Sequence, residues 1–549
     1  VRAPLGAKAA YGLAALTGFL YFLAFPGLDL WPFAFVALVP LIVALRGQTL
    51  RRAAGLGWTA GFVMTMTGFY WLLEMLEVFS GFPLPLCFLF MCILCAYQGG
   101  RIALAGYLAG RAERAGHPTA VVFPLAFVAS ELLFPLLFPW YYAATLHPVP
   151  TLLQTADLGG PYLLGGLLAL MNVGVAELVE ARLGKRSPSR KVLYAAAGAL
   201  GFVLLYGLVR VPMVDSATAA APPVRIGVIQ ANMPLFERKR AIPTNKELSK
   251  QAVANGAELL VWSEGAISQS FDEATFERDI PRAVSKDLGV PAILGGILRR
   301  TGERGADGKR RNTYFNTALF SDEKGEIHGR YDKQFLLAFG EYIPFGETFP
   351  ELYDMSPNSG HFTPGTSIEP FVWGDRRISA LICYEDIIPG FVGGIVRHAN
   401  PDLLVNLTND AWFGDSTEPW IHFALAKLRA VEHHRYLVRA TNSGVSGIID
   451  PVGRVVVHGG TFREESLVGD AHFLRATTGY GLWGDVPAWA AALVVVGLGF
   501  WRAKGAPPVA KKAEAPQKPA KAASEEPAPE AKDTPLADEA PRESEAKES

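Results

Sequence analysis

The run Arg377-Ile378-Ser379-Ala380-Leu381-Ile382-Cys383-Tyr384-Glu385-Asp386 reads as a β-strand that stops on a thiol and then on two carboxylates. Its near-continuous apolar character predicts a strand buried in a layered sheet. A thiol placed where a strand gives way to a turn is presented outward, as at a nucleophile elbow. Cys383 is the lone cysteine of the charged part of the chain, since Cys87, Cys92 and Cys95 share one apolar run; no disulfide framework is therefore available to it. The CxxC spacing of Cys92 and Cys95 falls inside a segment of membrane length and reads as small side chains on a helix, not as a redox or metal motif.

Moving outward, further β-rich runs stand at Val224–Gln230, Glu258–Trp262, Pro291–Gly295 and Asp402–Leu407, with helical stretches at 245–256, 273–287 and 418–434 between several of them. This pattern predicts an α/β layered domain over 215–480. Two more strand ends carry chemistry. Val261-Trp262-Ser263-Glu264 places a carboxylate just after a strand, and Tyr331-Asp332-Lys333 precedes the run FGEYIPFGE at 339–347. Singly, a Glu, Lys or Cys at a strand end is usually structural. Together they supply acyl transfer: a thiol to attack a carbonyl, a carboxylate to take its proton and an ammonium to stabilise the oxyanion.

The rest of the chain is of another kind. Of 549 residues half are hydrophobic and 19% charged, with 51 Lys+Arg against 52 Asp+Glu. Mean hydropathy is +0.21, too apolar for an ordinary soluble protein. The near-zero net charge and the absence of a nucleic-acid motif exclude a nucleic-acid partner. Apolar residues crowd the first 212 positions. Runs near 9–25, 31–46, 55–77, 84–109, 119–138, 159–180, 192–212 and 486–502 predict about eight transmembrane helices, the first an anchor and not a cleaved leader. Arg46, Arg51 and Arg52, then Arg111 and Arg114, then Arg182, Lys185, Arg186, Arg190 and Lys191 fall in alternate loops, whereas the loops near 26–30, 78–83 and 139–158 hold no Lys or Arg. The positive-inside rule then puts both termini in the cytoplasm and 215–480 on the periplasmic or outer face. The expected organisation is a transmembrane domain at 1–214, an extracytoplasmic domain at 215–480, a C-terminal transmembrane helix at 481–503 and a disordered cytoplasmic tail at 504–549, rich in Ala, Lys, Glu and Pro. Among acids in the apolar runs, Glu74 and Glu77 read as interfacial and Glu131 as the functional suspect.

The order Glu264, Lys333, Cys383 in the contexts WSE, YDK and CYED resembles the nitrilase (carbon–nitrogen hydrolase) superfamily. The runs FGEYIPFGE at 339–347, NDAWFGDS at 409–416 and RATNSGVSGIID at 439–450, with helices before the domain and one after it, are similar to one branch, the bacterial apolipoprotein N-acyltransferases. The resemblance implies a nitrilase-like αββα sandwich and a phospholipid acyl donor, typically phosphatidylethanolamine. It implies a thioester on Cys383 and transfer to the α-amino group of an S-diacylglyceryl cysteine at a lipoprotein N-terminus, in ping-pong order. Glu264 is then the general base and Lys333 the oxyanion partner. Glu341 is a supporting acid, Tyr384 and Glu385 shape the site, and neither metal nor other cofactor is required. Asn409, Asp410 and Trp412 either line the pocket or hold a turn. His422, His433 and His434 are expected to be structural or solvated. Loops at 340–366 and 386–395 are candidates to cover the site. The competing readings are a membrane-tethered amidase that hydrolyses a small amide and a transporter or scaffold without chemistry.

Overall fold

The computed structural model describes residues 4–234, 240–302, 312–349, 351–355 and 360–503. The tail expected at 504–549 and part of the 340–366 stretch lie outside the described residues.

Strand faces show how the sandwich forms. In sequence order the strands are β1 (Pro223–Gln230), β2 (Leu259–Trp262), β3 (Ile267–Asp272), β4 (Ala292–Arg300), β5 (Thr313–Ser321), β6 (Ile327–Asp332), β7 (Phe371–Trp373), β8 (Arg376–Ile382), β9 (Leu403–Thr408), β10 (Tyr436–Thr441), β11 (Gly447–Ile449), β12 (Val455–His458) and β13 (Glu465–His472). One sheet runs β13-β1-β2-β4-β5-β6, with β3 also on β4; the other runs β12-β11-β10-β9-β8-β7. The centres are parallel: β1, β2 and β4 in the first, β8, β9 and β10 in the second. Successive strand residues point to opposite faces, so each apolar strand supplies two cores. Leu259 and Val261 meet Ile378, Ala380, Ile382, Leu403, Val405 and Leu407 between the sheets. Their neighbours Leu260 and Trp262 pack outward on Leu248, Ala252 and Phe276. On the far side, Leu381 and Leu404 pack on Val392, Val396, Phe423 and Ala426. The result is helix–sheet–sheet–helix, as expected. The 386–395 stretch is mostly not a loop, because Pro389–Ala399 is a helix covering the second sheet.

The helical part departs more from its sequence pattern. Among the described residues three helices are long and apolar enough to cross a membrane: Leu84–Arg114, Ala156–Leu183 and Arg190–Ala219. Ala7–Leu23, Trp31–Leu45, Thr119–Leu133 and Val486–Phe500 are shorter apolar helices. The run at 31–46 is a 3-10 turn (Trp31–Phe35) followed by a short helix, Val39–Leu45, with Pro40 in its first turn. The run at 55–77 is two helices, Leu50–Gly68 and Leu72–Ser80. Ala156–Leu183 is kinked at Gly159 and Gly160, just before Pro161. Gly160 has φ +66°, and a Cβ there would stand 2.6 Å from the Tyr480 ring.

The two parts are joined by a helix that is buried along almost its whole length. Along Glu418–His433, Phe423, Ala426 and Ala430 pack on the second sheet, while Ile421, Leu425, Leu428 and Val431 join the apolar core of the helical part. A helix apolar on both sides is buried on both sides. Specific ties surround it. The Lys427 ammonium donates to His147 O at 2.7 Å, Gln154 Nε2 to Val452 O at 2.9 Å and Trp483 Nε1 to Leu158 O at 2.7 Å. Asp157, on the kinked helix, accepts from Tyr206 and Arg210 and meets His434 Nε2 at 2.8 Å. Glu74 is exposed, as an interfacial acid would be, and its carboxylate lies beside Gly414 (φ +63°).

Helix contact inside the bundle depends on glycine. A Cβ on Gly61 would sit 2.5 Å from Gly99 O, whereas one on Gly12 would meet nothing within 4 Å. Overpacking costs about 1–3 kcal/mol. Gly61→Ala should therefore lower the thermal midpoint of the detergent-solubilised protein by several degrees, and Gly12→Ala should not. Equal midpoints would refute the close contact.

Candidate active site

Three strand ends converge. β2 is followed by Ser263 and Glu264, β6 by Lys333 and β8 by Cys383. The Lys333 amide donates to Asn316 O at 2.8 Å, carrying the register of β5 and β6 one residue beyond the strand. Its ammonium, with the side chain 2% exposed, stands 2.8 Å from Glu341 Oε2 and 3.4 Å from Glu264 Oε1. Asn316 ties the same two acids from the other side: its Nδ2 donates to Glu264 Oε1 at 2.6 Å and to Glu341 Oε1 at 3.0 Å. The Leu337 amide donates to Glu341 Oε2 at 2.8 Å. Glu341 is thus held by a lysine, an amide side chain and a backbone N–H, and with Asn316 it orients Glu264.

The electrostatics follow from this geometry. Burial works against the Lys333 charge, but Glu264, Glu341 and Cys383 hold its pKa well above the ordinary lysine value. Lys333 is a fixed ammonium, suited to stabilising an oxyanion. Burial raises the pKa of Glu264; Lys333 opposes this and Glu341 adds to it. Burial, then the Glu264 charge, pushes the Cys383 thiol well up, against the pull of Lys333. The resting thiol is neutral and needs a base at the moment of attack. Glu264, a carboxylate of raised pKa that acts electrostatically on the thiol, has the chemistry such a proton transfer requires.

Cys383 has φ +53°, in the left-handed region that a non-glycine residue enters only when its surroundings hold it there. Glu385 is the nearer support. Its carboxylate accepts from the Ile382 amide (2.7 Å), the Tyr331 hydroxyl (2.7 Å), the Gln334 amide (2.7 Å) and the Phe335 amide (3.0 Å), so one side chain joins the thiol's turn to the lysine's. Burial lifts its pKa to about 7. Beneath it lies a buried square of charge. His422 meets Asp386 at 2.9 Å through Nε2 and Asp410 at 3.0 Å through Nδ1; Arg439 donates to Asp386 at 2.5 Å, Asp410 at 3.1 Å and Asn406 at 2.9 Å. Asn406 donates in turn to Cys383 O at 3.0 Å. Burial and Arg439 oppose the charge on His422, but the two aspartates raise its pKa to about 10. With a carboxylate on each ring nitrogen, His422 is an imidazolium. Asp410, Glu418 and His422 lie close enough to share a cation, yet the histidine is committed through both nitrogens and Arg439 already balances the aspartates.

The remaining expected residues fall around this centre. Tyr384 reaches the helical part, where its hydroxyl donates to Leu137 O at 2.8 Å. Asn409 holds a turn: its side chain accepts from the Ala411 amide at 3.3 Å and from Asn442 at 3.1 Å. Trp412 packs against the core of the helical part. His422, His433 and His434 are all buried, so the solvated alternative is wrong for each. Glu131, the suspect among the apolar runs, is not at this centre; it pairs with Arg101 at 2.9 Å. Asn316, Asp386 and Arg439 were not anticipated. A signal existed for Arg439, a charge in the middle of the otherwise apolar run Tyr436–Ala440, which demands a buried partner.

Two family models match in series: an apolipoprotein N-acyltransferase N-terminal domain over residues 17–174 and a carbon–nitrogen hydrolase domain over 225–477. An apolipoprotein N-acyltransferase of Geobacter metallireducens is 32% identical over 512 residues, covering 90% of this chain and 95% of the relative. That of Azotobacter vinelandii is 30% identical over 520 residues, covering 89% and 94%. Among solved structures, an amidase from Nesterenkonia sp. aligns with 45% of this chain and 90% of its own at 21% identity and a TM-score of 0.33. Relatives matched from the first apolar helices through the last strand of the sandwich leave one assignment: the chain belongs to the apolipoprotein N-acyltransferase family.

Proposed function

We propose that this protein moves an acyl chain from a phospholipid, phosphatidylethanolamine being the expected donor, to the α-amino group of an S-diacylglyceryl cysteine at a lipoprotein N-terminus. Glu264 takes the Cys383 proton as sulfur attacks the ester carbonyl, and Lys333 stabilises the tetrahedral oxyanion. Collapse breaks the ester C–O bond. The lysophospholipid alkoxide leaves with the proton from Glu264, and the acyl group stays as a thioester. The neutral amine of the acceptor then attacks the thioester and passes a proton to Glu264; collapse breaks the C–S bond, leaves the acyl group as an amide, and Glu264 returns the proton to sulfur, restoring the thiol. Glu341 and Asn316 hold Glu264 and Lys333 in place.

The observation that carries this reading is where the thiol sits. The residue after Cys383 is bonded to the helical part through Tyr384 and Leu137, and the flanking Ile387 and Phe413 belong to the helical part's own apolar core. A soluble small amide needs no such seat. A two-chain lipid does, because each buried CH₂ is worth about 0.8 kcal/mol and extraction of a whole lipid is expensive. Exposed Phe339, Phe345 and Phe349 on the stretch after Lys333 suit a surface facing acyl chains. The proposed orientation places both termini in the cytoplasm and the sandwich outside. It is supported by the meeting of the basic segments at one end, where Arg46 pairs with Glu113 and Glu180 and Arg186 with Glu177 and Glu180.

Incubating the full chain with phosphatidylethanolamine in detergent should add one acyl mass to the wild type and none to Cys383→Ala. A diacylglyceryl-cysteine peptide should discharge it as an amide. Discharge to water alone would replace this reading with an amidase. Lys333→Met should slow thioester formation by about 10²–10³-fold, the effect of deleting one oxyanion donor.

The pH dependence has a definite sign. Glu264 must be ionised to act, and its pKa is raised partly by the Glu341 charge. The acid limb of thioester formation should therefore lie above the ordinary glutamate range, with the rate lost as pH falls through it. Glu341→Gln removes that neighbouring charge and should move the limb to lower pH while lowering the plateau. A limb that stays in place would show that Glu264 does not govern it.

A further inference from the structure

Residues 134–142 of the helical part take no part in the chemistry above, yet they are gripped from two sides. From one side the Leu84–Arg114 helix offers three polar side chains in succession. Tyr97 donates to Pro135 O. Gln98 accepts from the Leu137 amide at 3.0 Å and donates to Phe138 O at 2.9 Å. Arg101 donates to Trp140 O at 3.1 Å. Arg101 also pairs with Glu131 at 2.9 Å, the two side chains 1% and 0% exposed, and the same Glu131 oxygen accepts the Tyr142 amide at 2.8 Å. The Tyr21 hydroxyl accepts from Trp140 Nε1 at 3.0 Å, and the Phe25 ring stacks on the Trp140 indole at 4.2 Å.

From the other side come the supports of the thiol. Tyr384 donates to Leu137 O at 2.8 Å. The Trp71 indole lies edge-on between Phe138 (5.3 Å) and Phe413 (5.2 Å), and Phe413 ends the turn that begins at Asp410.

Satisfying the backbone of a Pro-broken segment explains part of this, because a buried peptide group without a partner costs about 1–3 kcal/mol. Tyr97 and Gln98 answer that need. A buried ion pair exceeds it, since neutral side chains could bond Trp140 O and the Tyr142 amide without desolvating two charges. What the pair adds is fixity: two charge-assisted bonds, at 3.1 and 2.8 Å, set the backbone on both sides of Tyr141 relative to two helices.

We propose that residues 134–142 are a positioning plate for the nucleophile. Arg101, Glu131 and Gln98 set the place of Leu137 O; Leu137 O holds Tyr384; Tyr384 holds the turn from which Cys383 attacks. The helical bundle thereby enters the rate of thioester formation and not only the binding of lipid. Arg101, Glu131 and Gln98 are positioning residues that touch no substrate, and the inference rests on Cys383 being the nucleophile.

The test uses the full chain in detergent with phosphatidylethanolamine, following acylation of Cys383 by intact mass as the lipid mole fraction is varied. Gln98→Leu removes two bonds to the plate and leaves no unpaired charge. Its maximal acylation rate should fall about tenfold, the usual size of a supporting-residue effect, at an unchanged half-saturating mole fraction. Tyr384→Phe should do the same, and the double variant should be no slower than the slower single, because both cut one path. Glu131→Gln strands Arg101 and is therefore paired with the Arg101→Leu/Glu131→Leu double variant, which should also lose rate at unchanged half-saturation. A wild-type rate in Gln98→Leu, a change in half-saturation alone, or effects that multiply would overturn the plate. Failure of the parent reading would show separately, as a wild type that takes no acyl group on Cys383; the plate would fall with it.

Discussion

One ammonium is shared by two carboxylates in a place water barely reaches, and the arrangement of the site depends on it. Lys333 is 2.8 Å from Glu341 and 3.4 Å from Glu264. Without it two buried acids would face each other, and one would have to stay protonated. With it, and with Asn316 donating to both, the acids have different tasks: Glu341 is saturated with partners, while Glu264 keeps capacity to exchange a proton. The asymmetry arises from hydrogen-bond supply, since both residues are glutamates within reach of the same cation.

The thiol's backbone is held by a second, separate device. A residue at φ +53° is kept there against its own preference, and Glu385 and the Asp386–His422–Asp410–Arg439 square oppose any relaxation. Each member of the square has a partner of opposite sign at hydrogen-bond distance, which makes burying these charges tolerable. Removing one member would leave another buried and unmet. Both nitrogens of its histidine are held by aspartates, so that ring is not available as a base, although a histidine near a cysteine invites that reading.

The sandwich and the helices form one structure at the level of the site. A helix apolar on two faces, a lysine that donates into a loop of the helical part and an aspartate that meets three side chains from two elements tie the two together among the described residues. For the proposed transfer between two lipid substrates this has a clear use: Cys383 is carried at a fixed place relative to the helices.

The sequence alone determined much of this. Near-continuous apolar runs mark strands whatever surrounds them; Glu264 and Cys383 were legible because each follows such a run, and Lys333 from its Tyr-Asp-Lys context. Long apolar helices were legible for the same local reason, although breaks at Phe69–Trp71 and after Leu133 shortened two of them, and among the described residues three are both long and apolar enough to cross a membrane. Tertiary structure decided the rest. Asn316 in mid-strand gave no local sign that it would bridge two acids, one of them 52 residues earlier. His422 reads the same on paper whether it is solvated, a ligand or a buried cation; two aspartates brought from other elements made it the last. Glu131 drew notice as a charge in an apolar run, but only the fold supplied Arg101 and the plate it steadies. Local pattern follows from the geometry of one chain segment, whereas the state of a buried charge is set by which distant groups arrive beside it.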